Sequence, residues 1–242
     1  MGARFEDAEN ELQHILHGLR GPKISPAGGL SAHDGVVKVA ALLGFCLLLL
    51  QCSDKKQESN PFYDLAEGDI VFQGNPGEAN DAIRTATDSP FTHCGVVLRI
   101  DGEWMVLEAV QPVRLTPVGA FRQRSLPGTY RAMRLARPVD ADALHAAREW
   151  GRRQKGRNYD FHFRWEDGAL YCSELVWKFY REAGVEICPL REFHDYRLEH
   201  PGVRRWVERR YGSPERLPKG EAVVSPGDLA ASSLLVEAPL RH

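Results

Sequence analysis

Short stretches of alternating or continuous apolar residues occupy the middle of the chain, and they have the length and spacing of β-strands. Gly, Pro, Asn or Asp residues separate these stretches, as is typical of turns between strands. The dipeptide Asp101-Gly102 joins two of them and is a strong signal for a two-residue hairpin turn. Strands are predicted for residues 67–73, 92–100, 103–110, 113–118 and 130–135.

Helical spacing of apolar residues follows the strands along the chain. Asp140 is placed to cap the first helix, and Gly156 and Gly184 are placed to end the first and the second. The apolar tail at residues 223–235 is expected to pack against the core. Because strands come first and helices later, the pattern predicts the α+β class. Helices are predicted for residues 141–155, 172–183 and 203–211.

The overall charge is close to neutral, and this excludes one class of partner. The 242 residues include 31 Lys+Arg and 33 Asp+Glu, for a formal net charge of -2. A general nucleic-acid binder needs a basic surface, so no nucleic-acid partner is expected. A hydrophobic fraction of 43% and a charged fraction of 26% are ordinary for a folded globular domain. Five cysteines are too few for a disulfide scaffold.

Residues 36–52 differ in composition from the rest of the chain. A lysine precedes an uncharged apolar block at residues 39–50. This block is shorter than the roughly 18 apolar residues that a membrane-spanning helix needs. The block and the cysteine that follows it resemble a bacterial lipoprotein signal, in which Cys52 would be lipidated. The alternative is a buried apolar helix of a soluble domain.

The lipoprotein interpretation divides the chain into four parts. Residues 1–35 form an N-terminal extension, or a start-site artefact if translation begins near residue 36. Residues 36–52 form the lipoprotein-like segment, residues 53–64 a polar tether, and residues 65–242 the folded domain. The protein is then expected in the bacterial cell envelope, as a membrane-anchored lipoprotein or in the periplasm.

The Asp101-Gly102 hairpin predicts that an imidazole and a carboxylate meet on one face of a strand pair. Counting outward from a turn at these two residues places Glu108 opposite Gly95. Side chains alternate along a strand, so His93 points to the same face as Gly95 and is the diagonal neighbour of Glu108. Gly95 carries no side chain and leaves the space between them open.

Cys172 begins the second predicted helix, where the environment favours a thiolate. Unpaired backbone N–H groups and the positive end of the helix dipole stabilise negative charge there, including a developing oxyanion. Cys172 as nucleophile, His93 as base and Glu108 as the group that orients His93 make a chemically complete set. The alternatives are a structural core cysteine, a zinc site of His93, Cys94, Cys172 and Cys188, and a Cys172–Cys188 disulfide.

Six segments occur in the order found in one family of cysteine enzymes. They are GDIVF at 68–72, THCGVV at 92–97, EA at 108–109, YD at 159–160, YCSELV at 171–176 and SPGDLA at 225–230. Together they resemble the YiiX-like permuted papain-like cysteine amidases of the NlpC-type hydrolase superfamily. The resemblance runs from about residue 65 to the C-terminal region.

The resemblance implies a permuted papain-like α+β fold, in which a small antiparallel sheet packs against the helix that carries the nucleophilic cysteine. It implies that Cys172 is the nucleophile, His93 the general base and Glu108 the third residue that holds the imidazole. It also implies a substrate-binding role for Tyr159, with no metal and no organic cofactor. Cys94 departs from the family pattern and is expected to face the core, away from the catalytic residues.

The expected function is that of an envelope-tethered cysteine hydrolase that cleaves amide bonds through a thioester intermediate. The expected partners are a peptide or amide substrate, such as a cell-wall fragment or an amino-acid amide, or a lipid, and a membrane bound through a lipid anchor. The alternatives are a lipid-directed acyltransferase on the same fold and a non-catalytic lipoprotein that binds peptide or polymer. Residues 74–90 and 193–202 are predicted to be long loops of the kind that cover a functional groove.

Overall fold

The computed structural model describes residues 61–241 of the chain. The predicted N-terminal extension, the lipoprotein-like segment with Cys52 and most of the polar tether therefore lie outside the described residues. Within residues 61–241, no helix combines the length and the apolar character that crossing a bilayer requires.

The described residues form short strands and helices that largely match the predicted positions. The strands are β1 (Ile70–Gln73), β2 (His93–Ile100), β3 (Glu103–Glu108), β4 (Arg114–Pro117), β5 (Arg131–Leu135), β6 (Arg191–Glu192), β7 (Ala222–Val223) and β8 (Leu235–Glu237). The α-helices are α1 (Glu78–Thr87), α2 (Val118–Gln123), α3 (Ala141–Gln154), α4 (Cys172–Glu182), α5 (Pro201–Tyr211) and α6 (Pro226–Ala230). Two 3-10 helices lie at Phe193–Asp195 and Pro214–Arg216.

One antiparallel sheet organises the fold. Its strand order is β4-β3-β2-β1-β5-β8, while β6 and β7 form a separate pair. Every pairing between neighbouring strands of the larger sheet is antiparallel. With helices packed against this sheet, the predicted α+β class is confirmed.

The hairpin between β2 and β3 has the strand register that a turn at Asp101-Gly102 predicts. Ile100 pairs with Glu103, and Val96 pairs with Leu107 further along the strands. Asp101 and Gly102 have φ angles of 51° and 86°, the positive values that a type I′ turn requires at both central residues. The turn therefore sets which residues of the two strands lie opposite each other.

The central strands are buried on both faces. One face of β2 belongs to the main core, which also contains apolar residues of α3 and α4. The other face belongs to a smaller cluster around Phe121 and Tyr130. As a result, the run from His93 to Leu98 is buried without interruption.

Helix α4 is the central helix of the fold and packs against both β2 and α3. Leu175, Val176 and Phe179 are fully buried on its core face, as their spacing predicts. The chain leaves the helix through Gly184, whose φ of 76° suits a glycine after a helix end. This packing holds the N-terminus of α4, and with it Cys172, against the sheet.

The two segments predicted to be long loops contain helices. Residues 74–90 include α1, whose apolar residues Ala82, Ile83 and Ala86 have helical spacing. The prediction of a loop there is wrong. The helix gives only a weak apolar stripe in the sequence because two of these three residues are small. Residues 193–202 contain a 3-10 helix and the start of α5, which begins at Pro201 rather than at residue 203.

The C-terminal tail packs on the core as predicted. Val224, Leu229 and Leu235 are buried there, and Leu235 begins β8, which pairs with β5 at the edge of the sheet. The tail thus supplies an edge strand that its own pattern of residues did not indicate.

Replacement of Gly95 by alanine should destabilise the fold. An added Cβ would overlap Cγ1 of Val106 and would lie 2.7 Å from the backbone oxygen of Leu107. Overpacking of this kind should lower the free energy of unfolding by about 1–3 kcal/mol, measured by chemical denaturation. Gly119→Ala is the matched control, because a Cβ there meets nothing within 4 Å. Equal stability of the two variants would contradict the prediction.

Candidate active site

His93 and Glu108 meet as the hairpin register predicts. His93 is the first residue of β2 and Glu108 the last residue of β3. The Nε2 atom of His93 lies 2.6 Å from Oε2 of Glu108. Glu108 is fully buried and His93 is 7% exposed. A buried imidazole and a buried carboxylate therefore form a direct hydrogen bond.

Glu108 has further partners that the sequence did not indicate. The hydroxyl of Thr116 donates to Oε1 at 2.5 Å, and Nη2 of Arg124 donates to Oε2 at 2.7 Å. Nε of Arg114 lies 3.7 Å from Oε1. Burial alone would raise the pKa of Glu108, but the hydrogen bonds and charges of His93 and then Arg124 lower it to about 2. The carboxylate is therefore ionised at any ordinary pH.

The imidazole of His93 is held on a second side by an aromatic ring. The ring of Phe121, from α2, stacks on it with the centroids 5.6 Å apart. Burial alone would lower the pKa of His93, but hydrogen bonds to Cys172 and Glu108 outweigh burial and raise it to about 9. His93 is therefore an imidazolium at neutral pH.

Cys172 is the first residue of α4, and its sulfur touches three of the surrounding side chains. These side chains belong to Cys94, His93 and Tyr159. The hydrogen bond from Cys94 has the largest effect on the pKa of Cys172 and lowers it. Burial raises this pKa, but the hydrogen bond to His93 and the charge of His93 lower it further. The lowered pKa of Cys172 and the raised pKa of His93 both favour a thiolate that faces an imidazolium.

Cys94 lies beside Cys172, and the prediction that it stands away from the other site residues is wrong. Cys94 is fully buried on the face of β2 that packs against α4, as predicted. Because the N-terminus of α4 packs on that same face, the thiol of Cys94 reaches Cys172 and hydrogen-bonds to it. Burial and then this bond raise the pKa of Cys94, so it stays a neutral donor.

Tyr159 also lies at the site. It precedes α4 in a segment that forms an isolated parallel bridge with Leu170. Its hydroxyl contacts Cys172, and burial, then the charge of Cys172, raises its pKa. The ring packs edge-to-face on Phe161, with the centroids 5.1 Å apart. The four residues that the sequence singled out within the described part of the chain are thus brought together.

A cavity of about 90 Å³ opens beside Cys172. Residues of α1 and α5 line it, and so do Phe193, Tyr196 and Leu198 from the second segment that was predicted to be a loop. Its polar lining is limited to a few hydroxyls and the site residues. The apolar and aromatic residues around it include Ala82, Ile83, Ala86, Tyr159, Phe163, Tyr171, Phe193, Leu198, Val203, Trp206, Val207 and Leu217.

The other roles considered for the cysteines are not found in this part of the chain. Cys94, Cys172 and Cys188 are free thiols, so the Cys172–Cys188 disulfide is not formed. Within residues 61–241, no group of three or more His, Cys, Asp or Glu side chains is arranged to hold a metal ion. The alternative of a zinc site at His93, Cys94, Cys172 and Cys188 therefore finds no support in this part of the chain.

Comparison with known families identifies the class of protein. Residues 64–236 match the family described as permuted papain-like amidase enzyme, YaeF/YiiX, C92 family. The chain belongs to this family, which consists of papain-like amidases and peptidases. The predicted YiiX-like resemblance and the permuted papain-like α+β fold are therefore confirmed.

Two similar proteins come from Escherichia coli. The uncharacterized protein YiiX of strain K12 is 32% identical over 160 residues, which are 66% of this chain and 78% of the relative. The crystal structure of YiiX from strain O157:H7, described as a metalloprotein, matches with a TM-score of 0.69 and 30% identity. That match covers 74% of this chain and 99% of the solved one.

The pH dependence of alkylation should distinguish Cys172 from the other buried thiols. An ordinary thiol has a pKa of about 8.5, whereas the contacts at Cys172 lower its pKa. Iodoacetamide should therefore modify Cys172 rapidly at pH 6, as read by site-resolved mass spectrometry. Burial raises the pKa of Cys188 to about 12, so Cys188 should stay unmodified and serves as the internal control.

The variant His93→Ala should slow this reaction at pH 6, because it removes the imidazolium that stabilises the thiolate. The full rate should return only as pH rises above the pKa of the unassisted thiol. Alkylation of Cys172 at pH 6 that is equally fast with and without His93 would contradict the ion pair.

Proposed function

We propose that this protein is a cysteine amidase in which Cys172 attacks the substrate, His93 transfers protons and Glu108 holds His93 in place. The contact that supports the proposal is the chain Cys172–His93–Glu108, in which the last hydrogen bond is 2.6 Å long. The shifts in pKa agree with it, since the thiol pKa is lowered and the imidazole pKa is raised. Membership of a papain-like amidase family supports the same chemistry.

The proposed reaction has two halves. In the first, the Cys172 thiolate attacks the carbonyl carbon of an amide, and the carbonyl π electrons move onto oxygen. When the C–N bond breaks, the imidazolium of His93 gives its proton to the leaving amine, and a thioester remains. In the second, His93 takes a proton from water, the resulting hydroxide attacks the thioester, and the thiolate leaves with a carboxylic acid as product.

We propose that Tyr159 and the start of α4 stabilise the oxyanion that forms in each half. The first backbone N–H groups of an α-helix have no partner within the helix. The Tyr159 hydroxyl, which burial keeps protonated, contacts the same sulfur. Donors preorganised around a developing charge are worth more in an apolar cavity than in water. We therefore propose a substrate-binding role for Tyr159 through the carbonyl oxygen.

The apolar cavity favours some substrates of an amidase over others. A charged wall peptide would leave charges unpaired among residues such as Phe163, Trp206 and Val207, whereas an apolar side chain or acyl chain would be stabilised there. We therefore propose an amide whose acyl part is apolar. The same observation favours the second candidate, a lipid-directed acyltransferase. In that reaction an amine or hydroxyl, instead of water, accepts the acyl group from the thioester.

An amide with an apolar acyl part should reveal the activity. A p-nitroanilide of an N-acylated apolar amino acid should release p-nitroaniline, and Cys172→Ala should lower kcat/KM by at least about 10³-fold because the nucleophile is lost. Cys188→Ala removes a buried thiol that does not touch His93 and is the matched control. Equal activity of wild type and Cys172→Ala would contradict the proposal.

The acceptor of the acyl group separates the two candidate reactions. In the presence of an added amine and lysophospholipid, mass spectrometry should find the free acid if the protein is a hydrolase. Acyl transfer to the amine or lysophospholipid, with little free acid, would overturn the hydrolase in favour of the transferase.

We also propose that the protein is anchored in the bacterial envelope through Cys52, on the strength of the apolar block at residues 39–50. Cells that express the chain and grow with a radioactive fatty acid should incorporate the label into the protein, and Cys52→Ser should abolish the label because the acylated thiol is removed. Cys46→Ser, which changes another cysteine of the same segment, should keep the label. An unlabelled wild-type protein would contradict the anchor.

A further inference from the structure

Two positively charged groups share one oxygen of Glu108. Nε2 of His93 lies 2.6 Å from Oε2, and Nη2 of Arg124 donates to the same Oε2 at 2.7 Å. The other oxygen, Oε1, accepts from the neutral hydroxyl of Thr116 at 2.5 Å. The imidazole and the guanidinium therefore share Oε2 as their acceptor.

Arg124 occupies this position because of α2. It is the residue that directly follows the helix, and its guanidinium lies 5.3 Å from the ring centroid of Phe121. The same ring stacks on the imidazole of His93 at 5.6 Å. The six-residue helix α2 thus positions the ring that packs against the imidazole. The residue directly after it carries the cation that shares Glu108 with the imidazole.

We propose that Arg124 is a positioning residue for the acid–base step and acts on His93 through Glu108. This inference rests on the proposed function, since it concerns the proton that His93 gives to the leaving amine. Arg124 fixes the plane of the carboxylate, and so the direction in which the imidazole points. It also withdraws part of the negative charge that would otherwise hold the proton on His93.

The charge effect has a definite sign. Glu108 stabilises the imidazolium, whereas a guanidinium on the same oxygen repels it. Removal of Arg124 should therefore strengthen the His93–Glu108 pair, raise the pKa of His93, and make the imidazolium a weaker acid toward the leaving amine. The remaining charged group on Glu108 is Arg114 from β4, and the thiolate of Cys172 from α4 faces His93 directly.

Arg114 provides a control within the same carboxylate. Its Nε lies 3.7 Å from Oε1, the oxygen that His93 does not use, and its side chain is 52% exposed. Arg124 lies 1.0 Å closer to the carboxylate and is 35% exposed. Arg114→Gln removes the same kind of charge at a longer distance and in better contact with solvent, where screening weakens it.

The experiment compares wild type with Arg124→Gln, Arg124→Lys and Arg114→Gln in the full chain. The pKa of His93 is measured by NMR titration of ¹³C-labelled histidine, with the signal assigned from His93→Gln. We expect Arg124→Gln to raise this pKa by about 0.5–1 unit because a like charge is removed. Arg124→Lys, which keeps the charge, and Arg114→Gln should leave it near the wild-type value.

Steady-state kinetics on the apolar anilide gives the second readout. Loss of the carboxylate's alignment should lower kcat of Arg124→Gln by roughly tenfold, which corresponds to about 1.4 kcal/mol of activation free energy, while KM stays unchanged. The basic limb of the pH–rate profile should move up with the pKa of His93. Arg124→Lys should keep the basic limb of wild type but recover only part of kcat, since the flexible ammonium of lysine does not fix the direction of this hydrogen bond as the rigid guanidinium does.

The inference would be overturned if Arg124→Gln and Arg114→Gln had the same pKa of His93 and the same kcat. If Arg124→Gln does not fold, Arg124→Lys still decides, because wild-type kcat in that variant would contradict the alignment role. Absence of amide cleavage in wild type would count against the proposed function alone. The NMR titration reads the coupling of Arg124 to His93 without any substrate, so the two failures are distinguishable.

Discussion

The site depends on one buried negative charge, the carboxylate of Glu108. An ionised carboxylate in a protein interior is strongly unfavourable unless hydrogen bonds and opposite charges compensate it. Here the compensation comes from β2 through His93, from β4 through Thr116 and from the end of α2 through Arg124. The sheet register, the connection after β3 and the short helix must all be formed for this carboxylate to be stable. The contacts that stabilise the fold at this point are therefore the same contacts that orient the imidazole.

A second constraint is the position of Cys172 at the junction of α4 and the sheet. Helix α4 is anchored by fully buried apolar residues, so its first turn has a fixed place over β2. That place brings the sulfur between the proton donor Cys94, the imidazole of His93 and the hydroxyl of Tyr159. Electrostatic interactions are strong there because the neighbouring cavity is apolar. The same apolar lining that strengthens the ion pair also selects an apolar substrate in our proposal.

Several features of the fold could be predicted because they depend on neighbouring residues. The hairpin followed from Asp101-Gly102, whose positive φ angles are encoded by the residue types themselves. Helix α4 followed from Leu175, Val176 and Phe179, which form a wide apolar stripe. Helix α1 was missed because its stripe consists largely of alanine. Helix α2, with only Phe121 buried, was too short to show a period.

The sequence by itself determined the α+β class, the meeting of His93 with Glu108 and the start of a helix at Cys172. His93 and Glu108 are 15 residues apart and joined by one hairpin, so turn chemistry and strand alternation are sufficient to pair them. Only the tertiary structure decided that Cys94 contacts Cys172 and that Arg124 shares the oxygen of Glu108 with His93. These contacts arise from the packing of α4 on the sheet and from the direction in which α2 ends. Neither is a property of local spacing, because each depends on how separate elements bury their apolar faces against one another.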